Sequence, residues 1–265
     1  MKRHLTILTM MIAVCGVGRM AAAALLLAVD ADDRGPPASN TLAGFSSYKM
    51  TGTTTASSTP NTQAVGAYTV TMTAFDDGLD ENNVTAGVQN TTGQIDDRLR
   101  TTPTNSGSLT YADLYDDIIF AGASTGPTGG LDLSVSGGAL VANTPYLVSI
   151  YSFDSGSTPA PQPRTANWLD GNNANALVVA TTFNGGTLPM ANDQYKFTGV
   201  AMTDASGQLL LHARNTTGYA AAGGATIGVV INGFEIAEVP EPTSLAFTCI
   251  AMAMLAFRRI RSRVN

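Results

Sequence analysis

The chain has 265 residues, 44% of them hydrophobic and 13% charged, with a formal net charge of −6. That length supports one large domain or two small ones, and a charged fraction about half the usual excludes a coiled coil and a charge-rich disordered chain. An acidic balance also excludes a nucleic-acid binder.

The charge is unevenly placed. Lys2, Arg3 and Arg19 stand at one end, Arg258, Arg259, Arg261 and Arg263 at the other, and every Asp and Glu lies between them. Residues 25–257 carry seven basic and twenty acidic groups, a net of −13.

Residues 1–24 read as a signal peptide. Lys2 and Arg3 make a positive start, Leu5 to Val17 is apolar but for Thr6, Thr9 and Gly16, and Ala21 to Ala24 offer small residues to a signal peptidase. Arg19 is unusual just after the apolar run, so an uncleaved membrane anchor is the alternative. Cys15 falls in this segment and Cys249 in the C-terminal tail, which leaves the body without a thiol. A disulfide framework, thiolate catalysis and a Cys-ligated zinc site are therefore excluded there.

Residues 25–238 are expected to fold as one antiparallel β-sandwich. Short β-rich runs recur between turn formers, with no long helical period. The expected strands are Leu25–Val29, Ser47–Gly52, Ala67–Phe75, Leu131–Ser136, Tyr146–Phe153, Ala176–Phe183, Tyr195–Met202, Gln208–Ala213 and Ile227–Ala237. Tyr68-Thr-Val70-Thr-Met72-Thr73 and Leu131-Asp-Leu133-Ser-Val135-Ser136 alternate as half-buried strands do. One short helix is expected at Thr110–Asp117, with Thr110 as its cap and Leu114 and Ile118 facing the sheet. No internal repeat of solenoid length is present.

Candidate chemistry is sparse. His212 is the only histidine outside the signal peptide, so no Ser-His-Asp triad or histidine-rich metal site is assembled. Acidic clusters at strand ends are the better lead, because carboxylates and carbonyls suit a hard cation. Asp76, Asp77, Asp80 and Glu81 are the first choice to hold a structural Ca2+, and the loop of Asp30, Asp32 and Asp33 the second. The alternative is solvated acidic loops that keep the protein soluble. Adjacent carboxylates such as Asp96 and Asp97 diverge on a strand, which argues against the facing pair of a glycoside hydrolase. Trp168, in a polar stretch with Asn167 and Asp170, is expected either as an exposed platform for a sugar or as an aromatic lid on the core.

Residues 239–265 have three parts. Pro240-Glu241-Pro242 is extended and cannot enter a helix. Leu245 to Phe257 is apolar, a span of about 21 Å as a helix against a hydrocarbon core of about 30 Å. The arginines 258, 259, 261 and 263 then hold the cytoplasmic side.

This tail resembles the PEP-CTERM sorting signal of Gram-negative bacteria. The resemblance implies that Pro240, Glu241 and Pro242 are recognised by an exosortase, a membrane-embedded cysteine protease-transpeptidase. The apolar segment would hold the protein in the inner membrane until cleavage, and the product would reach the cell surface or matrix. A plain tail anchor is the alternative. The body resembles galactose-binding-like jelly-roll domains in Asn40-Thr-Leu-Ala-Gly44-Phe45, Ile95-Asp-Asp-Arg-Leu-Arg100, Pro145 to Asp154 and Val230-Ile-Asn-Gly-Phe-Glu-Ile236. That second resemblance implies polysaccharide as a partner. The expected role is non-enzymatic.

Overall fold

The computed structural model describes residues 23–32, 40–50, 60–75, 94–100, 103, 105, 107–122, 130–156, 164–215 and 229–240. Asp33, Asp76, Asp77, Asp80, Glu81, Glu241, Pro242, the apolar run 245–257, the four terminal arginines and residues 1–22 of the signal peptide lie outside them. Among the described residues, no helix is long and apolar enough to cross a membrane.

The chain divides into two compact units, Leu25–Ala237 and a second built from both chain ends, Met1–Ala24 with Glu238–Asn265. In the second unit the Glu238 N–H donates to the Ala24 carbonyl at 2.9 Å.

The larger unit is all-β and sandwich-like. Its strands are β1 (Leu25–Asp32), β2 (Ser46–Lys49), β3 (Asn61–Val65), β4 (Tyr68–Phe75), β5 (Gln94–Leu99), β6 (Asp117–Gly122), β7 (Gly130–Gly137), β8 (Pro145–Tyr151), β9 (Arg164–Asp170), β10 (Ala176–Phe183), β11 (Lys196–Met202), β12 (Leu209–Asn215), β13 (Val229–Ile231) and β14 (Gly233–Glu238). They form a five-stranded sheet in the order β11-β8-β14-β1-β2, a six-stranded sheet β10-β9-β12-β7-β4-β3 and a three-stranded sheet β13-β6-β5. The ladders with a recorded register are antiparallel except β1 with β2, which is parallel.

Period-2 alternation sets the core. In β4, Val70 and Met72 are buried while Thr69 is exposed and Thr71 and Thr73 are half-buried. Leu131, Leu133 and Val135 of β7, Leu209 and Leu211 of β12 and Leu27, Val29 and Ala31 of β1 join them in one cluster that draws on all three sheets. At about 25 cal/mol per Å2 of apolar surface, this burial is the main stabilising term. A second cluster is aromatic. Tyr115, Tyr151, Phe153, Phe183 and Tyr195 pack with Leu42, Leu109 and Leu114, and Phe153 stacks on Tyr195 at 4.7 Å between centroids.

Several expectations need correction. Strands β3, β5, β6 and β9 stand where none was expected. The helix at Thr110–Asp117 is a single 3-10 turn, Asp113–Tyr115, entered at Ala112 without a side-chain cap. The last expected strand is two strands in two different sheets. The break falls at Asn232, whose backbone N–H donates to Tyr151 O at 2.9 Å and whose carbonyl accepts from Ala31 N at 2.8 Å. Its Oδ1 accepts from Phe153 N at 2.6 Å and its Nδ2 donates to Asp117 O at 2.7 Å. Each of these groups is occupied within the protein, as burial at 0% exposure demands. Gly233 follows because a Cβ there would meet Leu114 Cδ1 at 2.8 Å.

Candidate functional site

Alternation places Asp30 and Asp32 on the face of β1 opposite Val29 and Ala31, where a sheet would ordinarily meet water. Both are nevertheless 0% exposed. The chain after β1 folds over them. The Leu42 N–H donates to Asp30 Oδ2 at 2.7 Å, and the Thr41 hydroxyl to Asp32 Oδ2 at 2.7 Å. The Ser47 hydroxyl also donates to Asp32 Oδ2. Gly44, at φ +91°, allows the tight return in which Phe45 N donates to Leu42 O. The other oxygen of each carboxylate, Oδ1, is buried without a hydrogen-bond partner, and among the described residues no ion pair reaches either. Burial is the largest cause that pushes the Asp30 carboxyl up to about 8. The Leu42 amide opposes the shift, and Asp32, Asp116 and Asp113 add to it.

Further along this face lies a polar group with an aromatic rim. β14 brings Glu235, β8 brings Ser149 and Tyr151, and β11 brings Lys196 and Thr198, with Lys196 opposite Tyr151 and Thr198 opposite Ser149. Lys196 Nζ lies 2.5 Å from Glu235 Oε2, and the Tyr151 hydroxyl donates to Glu235 Oε1 at 3.1 Å. The ammonium also sits 5.3 Å from the Tyr151 ring centroid, a cation–π contact. Ser149 and Thr198 hydroxyls are 2.8 Å apart. Half-buried Phe45 and Tyr111 meet edge to face at 5.9 Å, and Phe45 meets Tyr151 at 6.0 Å. Burial first, then Glu235, hold the Tyr151 phenol well above its ordinary range. Hydroxyls, a carboxylate and an ammonium beside aromatic edges can hydrogen-bond a polyhydroxylated ligand.

The residues expected to form a sugar site are separated. Trp168 lies in β9, 0% exposed, with its ring in the main core and its Nε1–H without a hydrogen-bond partner. It offers no exposed plane, and the lid reading describes it better. Asn167 is on the opposite face, paired in register with Ala180 and Arg214. Asp170 is buried on the Trp168 side and works within the fold: it accepts from Asn172 N at 3.0 Å and Met202 N at 2.7 Å. The polar flanks of Trp168 resembled a loop, but they belong to a strand that is buried at every second residue.

Other charged residues have structural partners. His212, on the face opposite Leu211, has Nδ1 2.8 Å from Asp132 Oδ1, and Arg214 donates to the same oxygen at 2.7 Å. Arg100 pairs with buried Asp154 through Nε at 2.6 Å, Arg164 stands 3.8 Å from the same carboxylate, and Arg98 lies over the Phe120 ring at 4.5 Å. Among the described residues no three Asp, Glu, His or Cys side chains gather to hold a metal ion. The Glu235–Lys196–Tyr151 group was missed in the sequence. The only local sign was Ser149 and Tyr151 alternating with Val148 and Ile150.

Neither the protein-family models nor the curated proteins include one that matches this chain.

Proposed function

We propose that this is an exported, non-enzymatic cell-surface or matrix protein of a Gram-negative bacterium. A signal peptide carries it across the inner membrane, and an exosortase sorts it at Pro240-Glu241-Pro242. The carrying observation is the ordered tail itself: the PEP motif, the apolar run Leu245 to Phe257 and the basic cluster of Arg258, Arg259, Arg261 and Arg263. Mass spectrometry of the mature protein gives both termini at once. Loss of residues 243–265 is expected, and an intact arginine-rich tail on the surface-exposed form overturns the reading.

A second reading takes the body as a jelly-roll module that binds polysaccharide. The observation in its favour is the Tyr151, Lys196, Glu235, Ser149 and Thr198 group beside Phe45 and Tyr111. On a glycan array, Lys196→Ala and Glu235→Ala are expected to lose binding while the fold persists. Absence of any glycan bound by the wild type ends this reading and leaves the first untouched.

A further inference from the structure

We propose that Asp30 and Asp32 form a site for one hard divalent cation, with calcium the ion of choice. The two carboxylates lie two residues apart on one face of β1 and are both 0% exposed. In each, only Oδ2 accepts from the chain, once in Asp30 and twice in Asp32, and Oδ1 is buried without a hydrogen-bond partner. A buried carboxylate left in this state is costly unless a proton, a cation or further donors meet it, and a cation can take the proton's place. Here two stand together, Asp113 and Asp116 add like charge at Asp30, and among the described residues no ion pair reaches either Asp30 or Asp32.

The chain does supply cations to a buried carboxylate elsewhere. Asp154, 3% exposed, has Arg100 and Arg164 beside it. Asp30 and Asp32 have no such arginine beside them among the described residues, and two buried carboxylates have the chemistry of a hard-cation site. Calcium takes oxygen ligands in irregular shells and accepts water among them, whereas magnesium holds to a strict octahedron. Two carboxylates suffice as anchors when water and neutral oxygens complete the shell. The site does not depend on the fate of the C-terminal tail.

The test uses the full chain in detergent, stripped with EGTA and titrated with CaCl2 by calorimetry, with MgCl2 in a parallel arm. One calcium per chain is expected, and about 1 mM calcium should raise the unfolding midpoint by about 5 °C. Asp30→Asn and Asp32→Asn should each weaken calcium binding by about tenfold or more. A variant with Asp76, Asp77, Asp80 and Glu81 all neutralised should bind as the wild type does. Circular dichroism checks each fold, and Asp30→Asn is the deciding variant because its amide oxygen still accepts from Leu42 N–H. The proposal is overturned by a wild type without heat or midpoint shift, by undiminished binding in Asp30→Asn, or by binding lost in the Asp76-to-Glu81 variant.

Discussion

The outward faces of the five-stranded and six-stranded sheets treat their carboxylates in opposite ways. On the six-stranded sheet Asp132 is 29% exposed at its side chain and is met by both His212 and Arg214. On the five-stranded sheet Asp30 and Asp32 are fully covered and meet only hydroxyl and amide donors. Water already screens the first carboxylate, so its two partners add little. The second pair has neither water nor cation, where a charge is hardest to hold. The difference teaches that covering a carboxylate removes its water without supplying a cation, and the cation site proposed above would supply one.

The sharpest way to break the comparison is to create the same deficit where the chain has filled it. Asp154→Ala removes the bidentate partner of Arg100 and the acceptor of Gly156 N–H. Loss of about 3 kcal/mol is expected in urea unfolding, as for other broken buried pairs. If Asp154→Ala is nearly silent, the carboxylates of this fold do not depend on their cations.

Alkaline titration tests the buried side without a substitution. Burial is the first cause that holds the phenols of Tyr48, Tyr115 and Tyr151 above the ordinary 10.0. The unfolded chain therefore ionises first. Stability should be fully present below pH 10 and fall by roughly 1 kcal/mol per pH unit for each such tyrosine above it. Ultraviolet absorbance at the tyrosinate band should rise for these residues only as the fold is lost. A rise that precedes unfolding refutes their burial.

Asp132→Asn gives the small counterpart. Its partners are partly exposed, so a loss of about 1 kcal/mol or less is expected, and 1 M NaCl should shrink it further. A loss as large as that of Asp154→Ala would erase the contrast between the two faces.

What could be read in the sequence follows from which forces are local. The strand over Ala176–Phe183 has the expected limits, and β4 and β7 show their alternation openly. β9 hides behind Asn and Asp, which favour turns when exposed but here occupy the outer face and the strand end. β6 hides because Leu114 and Ile118 are spaced like a helical pair, although one packs from a 3-10 turn and the other from a strand. The split at Asn232 depends on Tyr151, Phe153, Asp117 and Ala31, all distant in sequence. The site behaves likewise. The spacing of Asp30 and Asp32 is visible, but their burial depends on Leu42 and Ser47 folding back. Glu235, Lys196 and Tyr151 meet only through the strand order β11-β8-β14.

The smallest expected effect separates the two faces most cleanly. In EGTA, Asp30→Asn keeps an acceptor for Leu42 N–H and removes a buried carboxyl whose Oδ1 has no hydrogen-bond partner. Replacing such a group by a neutral one of similar shape is commonly neutral or stabilising. The variant should therefore match the wild type to within about 0.5 kcal/mol, or exceed it. With saturating calcium the order should reverse, because only the wild type gains the linkage term of a bound ion. The same exchange at Asp132 should show no dependence on calcium. Urea midpoints for the two variants, each with EGTA and with calcium, make the measurement. A clear loss for Asp30→Asn in EGTA would mean that its carboxylate is already satisfied inside the fold, like that of Asp132. The two faces would then differ in exposure alone.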